Sequence, residues 1–459
     1  MNTYTKQMGD FCAGLHYDDI PSEVVAKIKW CILDSIGTIL GATQTRFGGA
    51  ILEYTRQLGD EGQASVLGYG LKTSARSAAF ANGSLSETLE YQDGYTKGGY
   101  HPSCGTISAS LAMAEWKNRS GRDLIAAVTA GYEVGNRVSE AVFPSHLSRG
   151  FQPTGTAGAV GAAAAAAVIL KLDREQAANA LGVAGFILPI STGDNLWGGY
   201  TIKPVHGGAA AKAGIESALL ARQGLNAAPL EGDPRLGKGF VQIVSDSPKL
   251  EKLTEGLGQF TTIAEVYFKP YALCRIIHAP VEVAIDLRQR HGLKHEGIAN
   301  VVVRTYDFAA EVPGQTRTDP QSDPTLCQFS LPYGVAAALI YGEVGLAQMM
   351  GDATRDPRVH NLAARVQVIH DLEMDKLRPA LRPASVEITL RDGRKVSGRV
   401  DFPKGDARKP LSERELLDKF ASLARGVVRE EKIKRIQDAV FALDEISATD
   451  ELVRLLKQE

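Results

Sequence analysis

Four short stretches of this 459-residue chain carry side chains able to do acid-base or anion-binding chemistry. Glu90-Tyr91-Gln92-Asp93 is followed by a glycine-rich stretch ending at Tyr100, and then by His101-Pro102-Ser103. Proline disfavours helix at the residue before it, so His101 is expected on an ordered loop and not on an apolar helix face. A third stretch, Lys203-Pro204-Val205-His206-Gly207-Gly208, enters an alanine-rich helix. That would put Lys203 and His206 at a helix N-terminus, where the dipole and free N–H groups favour anions. The fourth, Lys269-Pro270-Tyr271 with Cys274-Arg275, adds two cations beside a ring where the texture of the sequence changes. Substrate pockets favour such boundaries, and arginine grips a carboxylate bidentately. Together these residues predict a site for a small di- or tricarboxylate.

Other chemistries compete for the same residues. His101 with Cys104, and Cys274 with His278, are spaced as ligand pairs for a tetrahedral zinc site. Neither pair sits in a tight knuckle, and both have neighbours that suit a substrate pocket, so no metal is expected. The stretch from Gly232 to Lys238 imitates a phosphate loop, but Gly239 stands where that loop needs Ser or Thr, and no strand pattern precedes it. Gly68-Tyr69-Gly70 is a bare turn. Glu133 and Arg137, four apart, form a helix-face ion pair.

The elements that must position these residues are mainly helical up to about residue 260. Pro21 opens a helix in which Val25, Ile28, Ile32, Ile36 and Ile39 recur at helical spacing until Gly41. Further helices are expected from Asp123 through Val138, after the capping pair Asp173 and Gln176, and from Gly208 to Arg222. Beyond residue 265, Ile298–Thr305 and Arg365–Ile369 are rich in β-branched residues, and Val386–Val400 alternates about Asp392-Gly393, a two-residue hairpin signal. With the apolar helix Leu331–Tyr341 between them, these make an α+β unit set into a helical protein. After a loop from Pro403 to Pro410 the chain returns to helices, with Ser412 and Glu415 as a capping box and later segments at Leu416–Leu423 and Asp438–Leu456. The run Arg429–Arg435 is a solvated helix face.

Composition narrows the function classes. The 51 Lys+Arg and 53 Asp+Glu nearly cancel to a net charge of −2, and no basic face stands out, so no nucleic-acid partner is expected. Five scattered cysteines fit free thiols in a reducing compartment, by default the cytoplasm. The 47 glycines and the alanine run 162–167 are read as tight helix packing. The uncharged stretch Ala157–Leu170 is too short and too poor in large apolar residues for a bilayer, which needs about 20, and the polar start lacks a signal-peptide core. No membrane association is expected.

In its motifs the chain resembles the MmgE/PrpD family, whose members include 2-methylcitrate dehydratase, cis-aconitate decarboxylase and iminodisuccinate epimerase. The resemblance rests on Leu33-Asp-Ser-Ile-Gly-Thr38, Ala81-Asn-Gly-Ser-Leu-Ser86, His101-Pro-Ser103, Gly131-Tyr-Glu-Val134, Gly150-Phe-Gln-Pro-Thr-Gly155, Lys203–Gly207, Lys269-Pro-Tyr271 with Cys274-Arg275, Phe329-Ser-Leu-Pro-Tyr333 and Arg391-Asp-Gly393. It implies a large helical domain built from both chain ends, residues 1–267 and 405–459, with an α+β lid domain, 268–404, inserted between. It also implies a cofactor-free homodimer. The family's acidic Asp-Phe-Asp-Asp loop aligns with Glu90-Tyr91-Gln92-Asp93, and its second pocket histidine is Gln152 here. An amide cannot exchange a proton near neutral pH, which disfavours any step that needs that histidine as acid for a departing hydroxyl or as proton donor to a decarboxylated carbon.

What the resemblance implies is proton handling next to a carboxylate. The expected reaction is a cofactor-independent epimerisation of an imino- or amino-dicarboxylate. His101 would serve one face of the carbon and Lys203 or Tyr333 the other, with Asp93 orienting His101. Lys269, Arg275, His206, Tyr271 and Gln152 would bind substrate. A hydro-lyase of the 2-methylcitrate type and a cis-aconitate-type decarboxylase are the alternatives, and a helical interaction protein is the non-enzymatic one.

Overall fold

Helix α1, Ser22–Ala42, buries Val25, Ile28, Ile32, Ile36 and Ile39 along one stripe, as their spacing requires. Each such side chain stabilises the fold by about 1.5–3 kcal/mol relative to exposure. Pro21 is its N-cap residue. Around α1 in this computed structural model, which describes residues 3–378 and 380–457, lies a body of long helices. They are α2 (Ala75–Thr88), α3 (Pro102–Trp116), α4 (Gly121–Val142), α5 (Pro153–Leu170), α6 (Arg174–Ile187) and α7 (Val205–Arg222). The capping boxes Ser120/Asp123 and Asp173/Gln176 start α4 and α6. Strands β1 (Ala64–Val66) and β2 (Leu71–Thr73) form a small antiparallel ribbon on this body.

Small residues let the helices approach closely. A Cβ at Gly208 of α7 would lie 2.1 Å from the carbonyl oxygen of Phe80 in α2, so only glycine allows that crossing. The alanine run 162–167 is buried throughout α5. Among the described residues α5 alone has the length and apolarity of a membrane span, but 94% of it is buried inside the protein, so it is a core helix.

The second part of the fold is a four-stranded sheet in the order β4-β3-β5-β6, with β3 Ile298–Thr305, β4 Val366–His370, β5 Ala384–Leu390 and β6 Lys395–Val400. β3 pairs parallel with β4 and antiparallel with β5, and β6 closes the edge. Ala384, Val386, Ile388 and Leu390 alternate inward and are covered by α8 (His278–His291), which also packs on α9 (Leu331–Tyr341). The β5–β6 turn is a three-residue loop, Arg391-Asp392-Gly393, not the expected two-residue one. Gly393, at φ +89°, supplies the left-handed residue this loop requires. Helix α10 (Glu413–Ala424) then packs back on α1, and α11 (Glu430–Phe441) follows. The expected segment Asp438–Leu456 is instead divided among the end of α11, a short turn at Leu443–Glu445 and a helix at Asp450–Leu455.

Candidate active site

Two helices of the body begin with proline and a third follows one, and an expected site residue precedes the proline each time. His101 is the N-cap of α3 and Gln152 the N-cap of α5, each followed by proline at the first helical position, and Lys203-Pro204 leads into α7. Proline suits the first turn because its missing N–H would be unsatisfied there anyway. The starts converge: the His101 N–H donates to Thr154 Oγ1 at 3.3 Å, and Gly155 abuts the Cβ of His206. Opposite them lies the C-terminal end of α2, where Gly83 contacts Gly208 and Cys104.

A buried ion cluster fills this junction. Glu87, in the last turn of α2 and fully buried, accepts Lys203 Nζ at 2.7 Å and His206 Nε2 at 3.0 Å on one oxygen, and the Cys104 thiol at 2.6 Å on the other. Glu90 carries the second carboxylate, one oxygen bonded to Lys203 and the other to Lys269 Nζ at 2.8 Å, which also donates to the Glu90 carbonyl at 3.0 Å. Glu90 sits at φ +50°, a conformation that costs a non-glycine residue about 1–3 kcal/mol and has to be held. Burial alone would raise both carboxyls. The ammonium of Lys203, with His206 for Glu87 and Lys269 for Glu90, overcomes it and holds both below the usual carboxylate range. Burial would likewise lower Lys203, but Glu87 and Glu90 hold it above the ordinary lysine value.

His101 is poised as a neutral base. Its Nδ1 lies 2.6 Å from the carbonyl oxygen of Asp93, which can only accept, so Nδ1 carries the proton and Nε2 the lone pair. Nε2 faces Glu90 Oε1 at 4.0 Å. Burial, reinforced by the charge of Lys269, lowers the imidazole to about 4. Asp93 therefore orients His101 through its backbone, while its carboxylate accepts Ser103 N–H at 3.2 Å and Tyr132 O–H at 2.6 Å. Burial raises that carboxyl to about 6. Gln152 is buried with its amide nitrogen unpartnered, beside Gly193 and Trp197. Trp197 packs edge-on against Phe329, whose ring lies 5.6 Å from Lys203 Nζ. The site thus lies where the helical body meets the sheet-containing part, and the chain seals it: Lys203, Lys269, Glu87 and Glu90 are all buried.

The structure does not bring every expected residue into this cluster. Tyr333 points its hydroxyl at the carbonyls of Gln348 and Ala353, both at 3.4 Å, because the Ser330 cap fixes the start of α9 with the ring against His360. Arg275 donates to the carbonyls of Lys404 and Pro403 and to His278, and lies over the ring of Tyr267; burial lowers it to about 10. Tyr271 meets His278 edge-on. None of the three makes a hydrogen bond to the cluster. The residues that could have built a zinc site are engaged apart, Cys104 with Glu87 and His278 Nε2 with the Leu273 carbonyl. The Glu133–Arg137 pair is buried rather than superficial, and Arg137 also donates to the carbonyls of Glu255 and Gly256.

Sequence reasoning missed Glu87 as the hub and the bridging role of Glu90. The signal for Glu87 was a lone carboxylate in a stretch from Ser77 to Leu89 that carries no other charge. Lys, Glu, Arg and Asp are almost never fully buried unless paired, so such a residue asks for a cation.

Two family models together cover most of the chain: the MmgE/PrpD N-terminal domain matches residues 6–253 and the MmgE/PrpD C-terminal domain residues 271–445. A cis-aconitate decarboxylase of Aspergillus terreus is 28% identical over 98% of this chain and 95% of its own length. The cis-aconitate decarboxylase of Mus musculus is 26% identical over 100% of this chain and 94% of its own. A 2-methylcitrate dehydratase-like protein of Aspergillus oryzae is 27% identical over 36% of this chain and 34% of its own.

Proposed function

The chain belongs to the MmgE/PrpD family, and from that premise we propose that it is a lyase that releases carbon dioxide from a small unsaturated tricarboxylate of the cis-aconitate type. The observation that carries this reading is the neutral His101, its Nε2 lone pair 4.0 Å from the Glu90 carboxylate, at the edge of a cluster in which Glu87 and Glu90 hold two buried ammonium groups in place. The full-length relatives named as cis-aconitate decarboxylases support it.

The chemistry fits those groups. When the C–CO₂ bond of a carboxyl on the saturated carbon next to the alkene breaks, its electron pair forms a new C=C. The old alkene pair moves to the carbon next to another carboxylate. Lys203 and Lys269 stabilise that enolate-like charge, and a proton adds at the carbon. His101 brings the proton, since a bound polyanion beside Nε2 raises its basicity. Neither alternative has the same support. Gln152 can supply a proton in neither lyase reaction; decarboxylation needs a single donor, which His101 provides, whereas dehydration needs a base for the carbon-bound proton as well as an acid for the departing hydroxide. Epimerisation needs an acid on the opposite face, but the Tyr333 hydroxyl lies elsewhere and Lys203 is held a weaker acid than free lysine.

Incubation with cis-aconitate in D₂O tests the proposal. Carbon dioxide release with one deuterium per product molecule is expected, and His101→Asn should abolish both. If cis-aconitate is left intact, deuterium entering the α-carbon of an imino- or amino-dicarboxylate in a parallel incubation would move the assignment to an epimerase, and alkene absorbance from 2-methylcitrate alone would move it to a dehydratase. We further place the enzyme in a reducing compartment, the cytoplasm, on its five free, buried cysteines. We also propose a homodimer that covers the exposed Phe186, Ile190, Tyr200 and Ile202 beside the Lys203 loop. Sedimentation of Ile190→Glu as a monomer would support it, and a monomeric wild type would refute it.

A further inference from the structure

Lys419 reaches the catalytic loop from the far end of the chain. It lies on α10, buried, and its Nζ donates to the Tyr91 carbonyl and to Asp34 Oδ1 of α1, each at 2.7 Å, while sitting 4.1 Å above the Tyr91 ring. Tyr91 in turn donates its hydroxyl to the Pro270 carbonyl at 3.0 Å, next to Lys269. Along the loop, then, the Glu90 carbonyl takes Lys269, the Tyr91 carbonyl takes Lys419, and the Asp93 carbonyl takes His101 Nδ1. Glu90, whose own carbonyl is the first of these and whose successor carries the second, is the residue in the left-handed conformation.

We propose that Asp34 and Lys419 are positioning residues that clamp the Tyr91 carbonyl, thereby setting the Glu90 carboxylate between Lys203 and Lys269 and the Asp93 carbonyl against His101. Neither touches the reacting atoms. A strained residue persists only where its surroundings over-determine it, and Lys419 supplies the bond on its C-terminal side. Asp34 opposes the loss of charge that burial favours at this ammonium and fixes its direction.

The catalytic arm of the test rests on the decarboxylase reading; the spectroscopic arm does not. Lys419→Met should lower kcat by about 100-fold with KM changed less than about threefold, as misplacing a catalytic group does. Lys419→Arg, which can still donate to both partners, should recover most of that loss. Lys29→Met is the control, because Lys29 also ties α1 to the C-terminal region, through Asp444 and the Phe441 carbonyl, without touching the loop. It should lower the melting temperature but not kcat. In ¹⁵N-histidine spectra, wild-type His101 should show Nδ1 protonated, and Lys419→Met should shift it toward the Nε2–H tautomer. If Lys419→Met keeps both kcat and the tautomer while melting as early as Lys29→Met, the pair is merely structural and the proposal fails. If no substrate is turned over by the wild type, the function assignment fails and the tautomer alone decides this one. Should Lys419→Met not fold, Asp34→Asn in the same two assays replaces it, and an unchanged tautomer there overturns the proposal.

Discussion

Replacing Glu87 by glutamine keeps the shape of the ion cluster and removes one of its two carboxylate charges. The Glu87–Lys203 contact is 2.7 Å, which at an effective dielectric of about 20 corresponds to about 6 kcal/mol of Coulomb energy. Relief of the desolvation of Glu87 itself offsets part of this, and Lys203 keeps Glu90. The net loss should therefore sit near the lower end for breaking a buried pair, about 3 kcal/mol. The pH dependence follows from the directions of the shifts. Glu87 is held below its ordinary value, so its contribution is present above about pH 4.5 and lost as pH falls through the depressed folded value. Lys203 is held above its ordinary value, so its share is present below about pH 10.5 and lost only as pH rises through the folded one. Urea unfolding of Glu87→Gln against wild type should show a deficit that is flat from about pH 6 to 9 and shrinks below about pH 4. With one counter-charge gone, the basic limb of kcat/KM should also move at least one unit toward neutral. A variant as stable as wild type at pH 7, or a deficit that widens on acidification, would refute the account of Glu87 as the hub.

Three further perturbations address single residues. Tyr333→Phe removes a hydroxyl bonded to two carbonyls at 3.4 Å and should cost about 0.5–1.5 kcal/mol of stability while kcat stays within about twofold; a tenfold drop in kcat would return Tyr333 to the chemistry. Asp93, raised to about 6, binds its proton more tightly folded than unfolded, so its charge penalises the fold above that pH by about 3 kcal/mol and the penalty fades toward pH 4. Asp93→Asn should therefore unfold at higher urea than wild type at pH 8 and lose that advantage at pH 4, which denaturation at the two values checks. Gln152→His places a proton donor where an unpartnered amide nitrogen now lies and should raise alkene formation from 2-methylcitrate, followed by absorbance; no increase means that acid is not what dehydration lacks here.

Local signals in the sequence were strong where one residue decides the backbone. Proline after His101, Gln152 and Lys203 sets helix starts, the capping residues Asp173 and Ser412 set two more, and the β-branched run 298–305 reads as the strand it is. Pairings between distant residues were not legible. Glu87 and Lys203 are 116 positions apart, and Lys419 lies 328 from Tyr91, so nothing in either neighbourhood states the partner. Tyr333 and Arg275 failed to join the cluster for the same reason: residue type marks what a side chain can do, while packing of α9 and of the Lys404 loop decides where it points. The anion site read from an excess of cations also needed correction. The lysines come already matched by carboxylates, which a count of positive residues along the chain cannot show.

That matching has a consequence for substrate binding. Lys203 and Lys269 are balanced by Glu87 and Glu90, so the cluster offers little net positive charge to a trianion. Further positive charge has to come from a group that changes state on binding, and His101 is the neutral base at the cluster's edge, with its lone pair on Nε2. At pH 7 it lies far above its folded value of about 4, and a polyanion beside Nε2 raises that value. Binding should therefore draw a proton from solvent onto the nitrogen that later hands it to carbon. Calorimetric titration of a saturated tricarboxylate analogue at pH 7 in buffers of different ionisation enthalpy should read uptake of about one proton per site, falling to about half near pH 4, where free His101 is half charged. His101→Asn should bind with no proton linkage. If wild type binds the analogue equally well with no uptake, His101 stays neutral in the complex and cannot be the donor to the carbanion.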